Sequence, residues 1–404
     1  MTNLNLNKMK NINTYDFTNK RVLLRVDFNV PLNDNNEITD DTRIKNSLLT
    51  INKIIDKGGI PLIMTHIGRP KGKIVEKLSV KNIIPHTEKL LNRKITYLNQ
   101  FGNENLKDKI TNLKQGDVAM LENLRFTDRE TKGDETYAKE LAELGDAFVM
   151  NAFGAVHRAH ASVSVIAKFF PDDKMFGDLV VSELENVDKA LKNPERPLTA
   201  IMGGSKVSTK INIIESLLDK VDNLIIGGGI AYTMAKSQGG EIGNSILEDD
   251  FIETANEIYK KAEAKGVKLY VPIDTIIADK FDNDANISHC DINKIPDGWM
   301  GLDIGIKTAS QFAEVIKESK TIIWNGPIGV FEMPNFSLGT LKIAHAVAEA
   351  TKNGAFSLIG GGDSVAAVNQ LGFDKQVSYI STAGGALLEY IEGKELPGLK
   401  AILE

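Results

Sequence analysis

A chain of 404 residues, 42% apolar and 25% charged, has the balance of a globular protein and is too long for one ordinary core, so two domains are expected. Its net charge of −6 argues against a nucleic-acid or anionic-membrane partner; no apolar run has membrane-spanning length, and the polar start MTNLNLNKMKNIN does not read as a signal peptide. One cysteine, Cys290, forms no internal disulfide and with six scattered histidines leaves little for a zinc site, so a reducing cytoplasm is the expected location.

From the N-terminus, RVLLRVDFNV (21–30) reads as a buried strand running into a polar loop. In TRIKNSLLTINKIIDKGG, Ile44, Leu48, Ile51 and Ile55 share one helical face and Gly58 ends the helix. Strand IPLIMTHIG, helix VKNIIPHTEKLLN, strands KITYL and DVAML, helix ETYAKELAELG and strand DAFVM follow. A linking helix, VSELENVDKALKN, precedes strand PLTAIMGG. Ser208 is placed to cap helix STKINIIESLLDKV, with Ile211, Ile214, Leu218 and Val221 as its core stripe. Strands NLIIGGG, KLYVPID, TIIWNGP, AFSLIGG and VSYIST complete the pattern, mostly separated by helices. Apolar strands alternating with helices predict α/β architecture: two Rossmann-like domains, each a parallel sheet flanked by helices, with a boundary near 178–197. Ligands of such sheets bind at the carboxyl ends of the strands.

Arginine and glycine are segregated. All nine arginines lie at or before Arg196, whereas 24 of 34 glycines follow residue 200. Arginine suits bidentate capture of phosphate and carboxylate; glycine clusters allow close backbone approach to a nucleotide. Surface Lys-for-Arg drift would give the same skew, so the strand-end segments matter more. Asp27 and Asn29 end the first strand, Arg43 opens a helix, His66 and Arg69 share THIGRP, Arg125 lies in LENLRF and Arg158 in AFGAVHRAHAS. Four arginines on four strand-end segments predict a small, multiply anionic substrate. His157 and His160 have the spacing of a metal pair but no evident third ligand; Arg21 and Arg25 read as structural.

In the glycine-rich half, GGSKVSTK puts Lys206 and Lys210 one helical turn apart, suited to a polyphosphate. WNGPIGVFE places Glu332 for a ribose hydroxyl. SLIGGGDSVAAVNQLG has neither a P-loop nor a dinucleotide spacing, and Asp363 beside phosphate is sensible when Mg²⁺ bridges them. STAGGALLEY supplies a second glycine-rich helix start.

Taken in order, RVDFNVPL, HIGRP, LENLRF, AFGAVHRAHAS, GGSKVSTKI, WNGPIGVFE and GGGDS resemble the phosphoglycerate kinase family along essentially the whole chain. The resemblance implies a 3-phosphoglycerate-binding domain over 1–178, a linking helix and hinge over 179–197, a nucleotide-binding domain over 198–388, and a C-terminal segment, 389–404, packing back on the first. It implies ATP + 3-phosphoglycerate ⇌ ADP + 1,3-bisphosphoglycerate in glycolysis and gluconeogenesis, by a cytoplasmic, hinge-bending monomer that closes for catalysis. Asp27, Phe28, Asn29, Arg43, His66, Ile67, Gly68, Arg69, Arg125 and Arg158 would hold 3-phosphoglycerate. Lys206, Lys210, Gly301, Asn325, Glu332, Gly361, Gly362, Asp363 and Ser364 would hold the nucleotide, with Asp363 on Mg²⁺. Arg43, Lys206 and the helix starts at Gly361 and Gly384 would stabilise the phosphoryl group in flight. The chain departs from the family pattern with Asn151 for a common Asp, Ala155-Val156 for a Thr-Ala pair, and about nine extra N-terminal residues.

The chemistry fits independently. The acceptor is a carboxylate, ionised at neutral pH, so no general base is needed. An NAD-dependent dehydrogenase is the rival use of such a fold, but GGGIAY at Gly227 lacks the G-x-G-x-x-G spacing. A two-domain solute-binding protein would call for an export signal.

Overall fold

The computed structural model describes residues 10–102 and 105–404; the expected nine-residue extension, 1–9, lies outside the described residues. The chain divides into two compact units, one running to Leu184 and including Glu395–Glu404, the other spanning Glu185–Lys394.

The first unit is built on a six-stranded parallel sheet. Its spatial order is Ile95–Leu98, Val118–Leu121, Ile60–Met64, Arg21–Val26, Ala147–Asn151 and Lys174–Phe176. Strands such as IPLIM are buried at every position, as a sheet covered on both faces requires. Helix Thr42–Asp56 turns Ile44, Ile51, Ile54 and Ile55 to the core, while Leu48 of the expected stripe is half-buried. The order in which strands are added reverses at the central strand, Arg21–Val26: the strand after it lies on one side and Ala147–Asn151 on the other. That is the topological switch point, where open α/β sheets leave a crevice. The C-terminal residues belong to this unit: Gly398 N–H donates to the Val156 carbonyl at 2.7 Å and Lys174 Nζ to the Ala401 carbonyl at 2.9 Å.

The second unit has its own six-stranded parallel sheet, ordered Lys268–Tyr270, Asn223–Ile226, Leu198–Met202, Thr321–Asn325, Phe356–Gly360 and Tyr379–Ile380. Its switch point falls between Leu198–Met202 and Thr321–Asn325. This unit also carries an antiparallel sheet that sequence periodicity does not predict, ordered Ile287–Asp291, Asp274–Ala278, Met300–Ile304. The expected strand KLYVPID stops at Tyr270, because Pro272 has no N–H for a ladder, and Asp274 begins a strand of the antiparallel sheet instead.

Two local expectations are corrected. Helix Ile211–Leu218 begins after Lys210, so Lys206 lies in the loop and not one helical turn from Lys210. Ser208 does not cap it: Glu248 takes the Ser208 hydroxyl at 2.5 Å and its N–H at 3.0 Å. The core stripe of that helix is Ile213, Ile214, Leu217 and Leu218, with Ile211 only half-buried.

Candidate functional site

In the first unit the strand-end loops are tied to one another by short polar bonds. Phe28 N–H donates to Thr65 Oγ1 at 2.9 Å, and Gly68 N–H donates to Asn29 Oδ1 at 2.8 Å. Asn123 bridges two segments through Nδ2, giving 2.8 Å bonds to the carbonyls of Ile67 and Leu78. Its Oδ1 receives Arg125 N–H at 3.0 Å, and Arg125 Nη1 reaches the Gly68 carbonyl at 3.1 Å. Gly68 has φ +62, and a Cβ there would meet Leu78 Cδ2 at 2.9 Å, so this turn needs glycine.

These ties gather positive charge. Arg43 pairs with Asp27. Burial holds His66 well below its ordinary pKa, and the charges acting on it come from Arg25, Arg125, His160 and Arg43. Burial brings Arg125 down to about 10, with Arg25 and Arg69 adding to the effect and Glu130 and Asp27 opposing it. Burial brings His160 down to about 4, helped by Arg125, Arg25, Arg158 and His157. Arg43, Arg69, Arg125 and Arg158 therefore share one electrostatic neighbourhood with His66 and Asp27, and Arg69 and Arg158 are exposed there. Phe28 and Ile67 are buried beneath the loops. The field of arginines around His160 also disfavours a cation on the His157–His160 pair.

Asn151 is fully buried at the end of its strand. Its Oδ1 accepts from Thr50 Oγ1 at 3.0 Å and from Leu179 N–H at 3.1 Å, while its Nδ2 finds no hydrogen-bond acceptor among the described residues. The side chain thus serves the junction with helix Asp178–Leu191, whose Asp178 is paired with Lys53. Arg21 is structural as expected, held by Asp146 at 2.6 and 2.9 Å. Arg25 is fully buried in its strand. It lies within bonding distance of His66, a contact missed by the sequence reading although a charge inside an apolar strand signals a specific partner.

In the second unit the switch-point loops interlock. Gly203 N–H donates to the Asn325 carbonyl at 2.9 Å, Gly204 N–H to the Pro327 carbonyl at 3.0 Å, and Gly228 N–H to the Ile328 carbonyl at 2.9 Å. A Cβ at Gly203 would lie 2.1 Å from the Pro327 oxygen, so close backbone approach is what this glycine provides. Lys210 Nζ is bonded to Asn325 Oδ1, whose Nδ2 donates to the Gly360 carbonyl at 2.7 Å. Burial lowers the Lys210 pKa, and Asp363 opposes that fall. Both ends of the Asn325 amide are engaged within the protein, so this residue holds Lys210 in place. Gly361, at φ +92, precedes helix Gly362–Gln370, whose first turn carries Asp363. Ser364 Oγ accepts Gly326 N–H at 2.5 Å. Gly384, at φ +55, precedes helix Gly385–Ile391, and Lys206 is exposed.

A cleft of about 490 Å³ opens here, lined by Gly204, Gly228, Gly229, Gly301, Glu332 and Asp363 together with Tyr232, Asn244, Ile246, Phe281, Met300 and Val330. Gly301 N–H donates to Ser245 Oγ at 2.9 Å. The antiparallel sheet supplies Gly301 and Met300; to the apolar wall the loop after its strand Asp274–Ala278 adds Phe281, 63% exposed, and the loop after Ile242 adds Ile246, 41% exposed. Flat apolar surface beside glycine backbone and acidic groups suits a base, a ribose and phosphates. Sequence reasoning found the glycines and acids; the wall was missed because its residues come from separate segments with no shared periodicity.

Comparison with known proteins gives a consistent result. The family model described as phosphoglycerate kinase matches residues 12–394. A phosphoglycerate kinase of Porphyromonas gingivalis is 50% identical, covering 97% of this chain and 99% of that protein. One from Chloroherpeton thalassium is 47% identical, covering 98% and 99%. Among solved structures, phosphoglycerate kinase from Coxiella burnetii superposes with a TM-score of 0.87 at 41% identity, covering 96% of this chain and 97% of the other. That of Pyrococcus horikoshii superposes with a TM-score of 0.82 at 29% identity over the same shares.

Proposed function

Because this chain belongs to the phosphoglycerate kinase family, we propose that its two strand-end crevices divide the substrates of that reaction, the arginine-rich one taking 3-phosphoglycerate and the glycine-rich one ATP or ADP. The protein transfers a phosphoryl group reversibly between ATP and the carboxylate of 3-phosphoglycerate. The observation carrying the division is the unbalanced cationic pocket of the first unit, where burial already strains the charge of Arg125 and a bound anion would relieve it. Asp27 holds Arg43 ready, Asn29 sets the Gly68 turn, and His66, Arg69, Arg125 and Arg158 supply donors to phosphate and carboxylate.

On the nucleotide side, Gly301 and the apolar wall take the base, Glu332 the ribose, and Lys210 the phosphates, with the turn Gly361–Ser364 offering backbone N–H groups. Lys206 and Arg43 follow the phosphoryl group, joined by the helix starts at Gly361 and Gly384. Mg²⁺ fits this donor set. Mg²⁺ sites of this kind use one or two carboxylates plus substrate phosphates, and exposed Asp363, which lines the same cleft as the glycine backbone, would be the carboxylate to hold it. When bound, the ion supplies charge neutralisation to the phosphates. The reading includes a cytoplasmic monomer acting on small molecules, as the family resemblance implies.

A coupled assay tests the reaction. Activity is expected with ATP, Mg²⁺ and 3-phosphoglycerate together; turnover without 3-phosphoglycerate, or none with it, would overturn the reading.

A further inference from the structure

Arg25 lies between Leu24 and Val26 in the central strand of the first unit and is fully buried. Its Nε donates to Ser162 Oγ at 3.0 Å, Nη1 donates to the Val26 carbonyl, and Nη2 lies 3.1 Å from Nδ1 of His66. Ser162 is held in turn by Glu130, which is also fully buried: the hydroxyl donates to Oε1 at 2.6 Å and the N–H to Oε2 at 3.0 Å. Burial opposes the charge of Arg25, and Glu130 and then Asp27 sustain it.

A guanidinium has five donors and no acceptor. Nδ1 of His66 must therefore present its lone pair to Arg25, and a ring that is neutral carries its one proton on Nε2. We propose that Arg25 is a positioning residue for 3-phosphoglycerate: anchored by Ser162 and Glu130, it fixes His66 as the Nε2–H tautomer, so that the ring meets the anionic substrate as a donor. The inference rests on the reading of His66 as a substrate contact. Its value is one of sign. The opposite tautomer would turn an Nε2 lone pair toward phosphate or carboxylate oxygen, acceptor against acceptor. A doubly protonated ring would turn a proton toward the guanidinium. Burial keeps the ring neutral, and the charged groups acting on it, Arg25, Arg125, His160 and Arg43, push the same way. The four linked residues, Arg25, His66, Glu130 and Ser162, come from four separate segments and only the fold assembles them.

Long-range ¹H–¹⁵N correlation spectra of the full-length, ¹⁵N-labelled protein at neutral pH read the tautomer directly. The expected result is His66 with its proton on Nε2 and an unprotonated Nδ1, with the Nε2 resonance moving when 3-phosphoglycerate is added. A proton on Nδ1, or a mixture of tautomers, in the parent protein overturns the proposal without any variant. The double variant Arg25→Met with Glu130→Gln removes the donor without leaving a buried unpaired carboxylate. In it, Nδ1 of His66 is expected to take up a proton nearer the ordinary histidine range. KM for 3-phosphoglycerate should rise about tenfold, the size of one lost hydrogen bond to a charged ligand, while KM for ATP holds. A folded variant whose His66 spectra and KM match the parent would show Arg25 to be structural only. The expected tautomer with no response of His66 to 3-phosphoglycerate would instead overturn the substrate reading on which the inference rests.

Discussion

Arg158 is exposed, yet its charge is felt at His160 among the buried cations, which places it at the rim of the arginine pocket. A charge-assisted bond from it to the substrate is worth about 1.5–3 kcal/mol, so Arg158→Ala should raise KM for 3-phosphoglycerate about 10–100-fold in steady-state kinetics. Lys206 and Lys210 differ in the same concrete way. Lys210 is half-buried and tethered to Asn325, whereas Lys206 is exposed in the loop before it. A contact made only in the transition state lowers kcat when removed. Lys206→Ala should thus reduce kcat about 10²–10³-fold with little change in KM for ATP, and Lys210→Ala should raise that KM. Near-parental kcat for Lys206→Ala would assign it to solvent. His160 supplies a pH signature. Its folded pKa of about 4 lies below the ordinary 6.5, so the unfolded chain takes up a proton that the folded chain refuses. The stability this group contributes is present above about pH 6.5 and is lost as pH falls toward 4. Urea unfolding between those limits should show a shallower acid loss in His160→Gln than in the parent.

The elements that matter most are the loops at the strand ends, and they were unequally legible in the sequence. The parallel strands and most helices could be read because burial on both faces leaves continuous apolar runs and the helices keep a 3.6-residue period. Helix Ile211–Leu218 starts three residues later than Ser208, whose chemistry suits a cap, because a distant acid, Glu248, claims both of its polar groups. The antiparallel sheet escaped because Ile287–Asp291 is largely exposed and carries no core period. That sheet nevertheless carries Gly301, where a Cβ would lie 2.2 Å from Tyr232 Oη. Tyr232 is buried and 3.0 Å from Thr275 Oγ1, so it has little freedom to yield. Gly301→Ala should therefore distort the cleft wall, costing about 1–3 kcal/mol of stability and raising KM for ATP about tenfold. Thermal unfolding and ATP kinetics on the one variant check both.

At the scale of the molecule, each unit presents its own parallel sheet and its own switch-point crevice, one furnished with arginines and the other with glycines. Under the proposed division of substrates, the residue skew seen in the sequence has a chemical meaning: fixed charge for a small anion, close backbone approach for a nucleotide. The sequence could name Arg43, Arg69, Arg125 and Arg158, because strand ends announce themselves. It could not show Arg25, Ser162 and Glu130 standing behind His66, because buried pairing here joins segments 32 to 137 residues apart that share no periodicity. The central claim is that substrate recognition is divided between the crevices, and crossed steady-state kinetics on Arg158→Ala and Gly301→Ala test it most directly, with ATP and 3-phosphoglycerate varied in turn. Arg158→Ala should raise only the KM for 3-phosphoglycerate and Gly301→Ala only the KM for ATP. Two variants that weaken the same substrate, or an Arg158→Ala protein impaired for ATP alone, would contradict it.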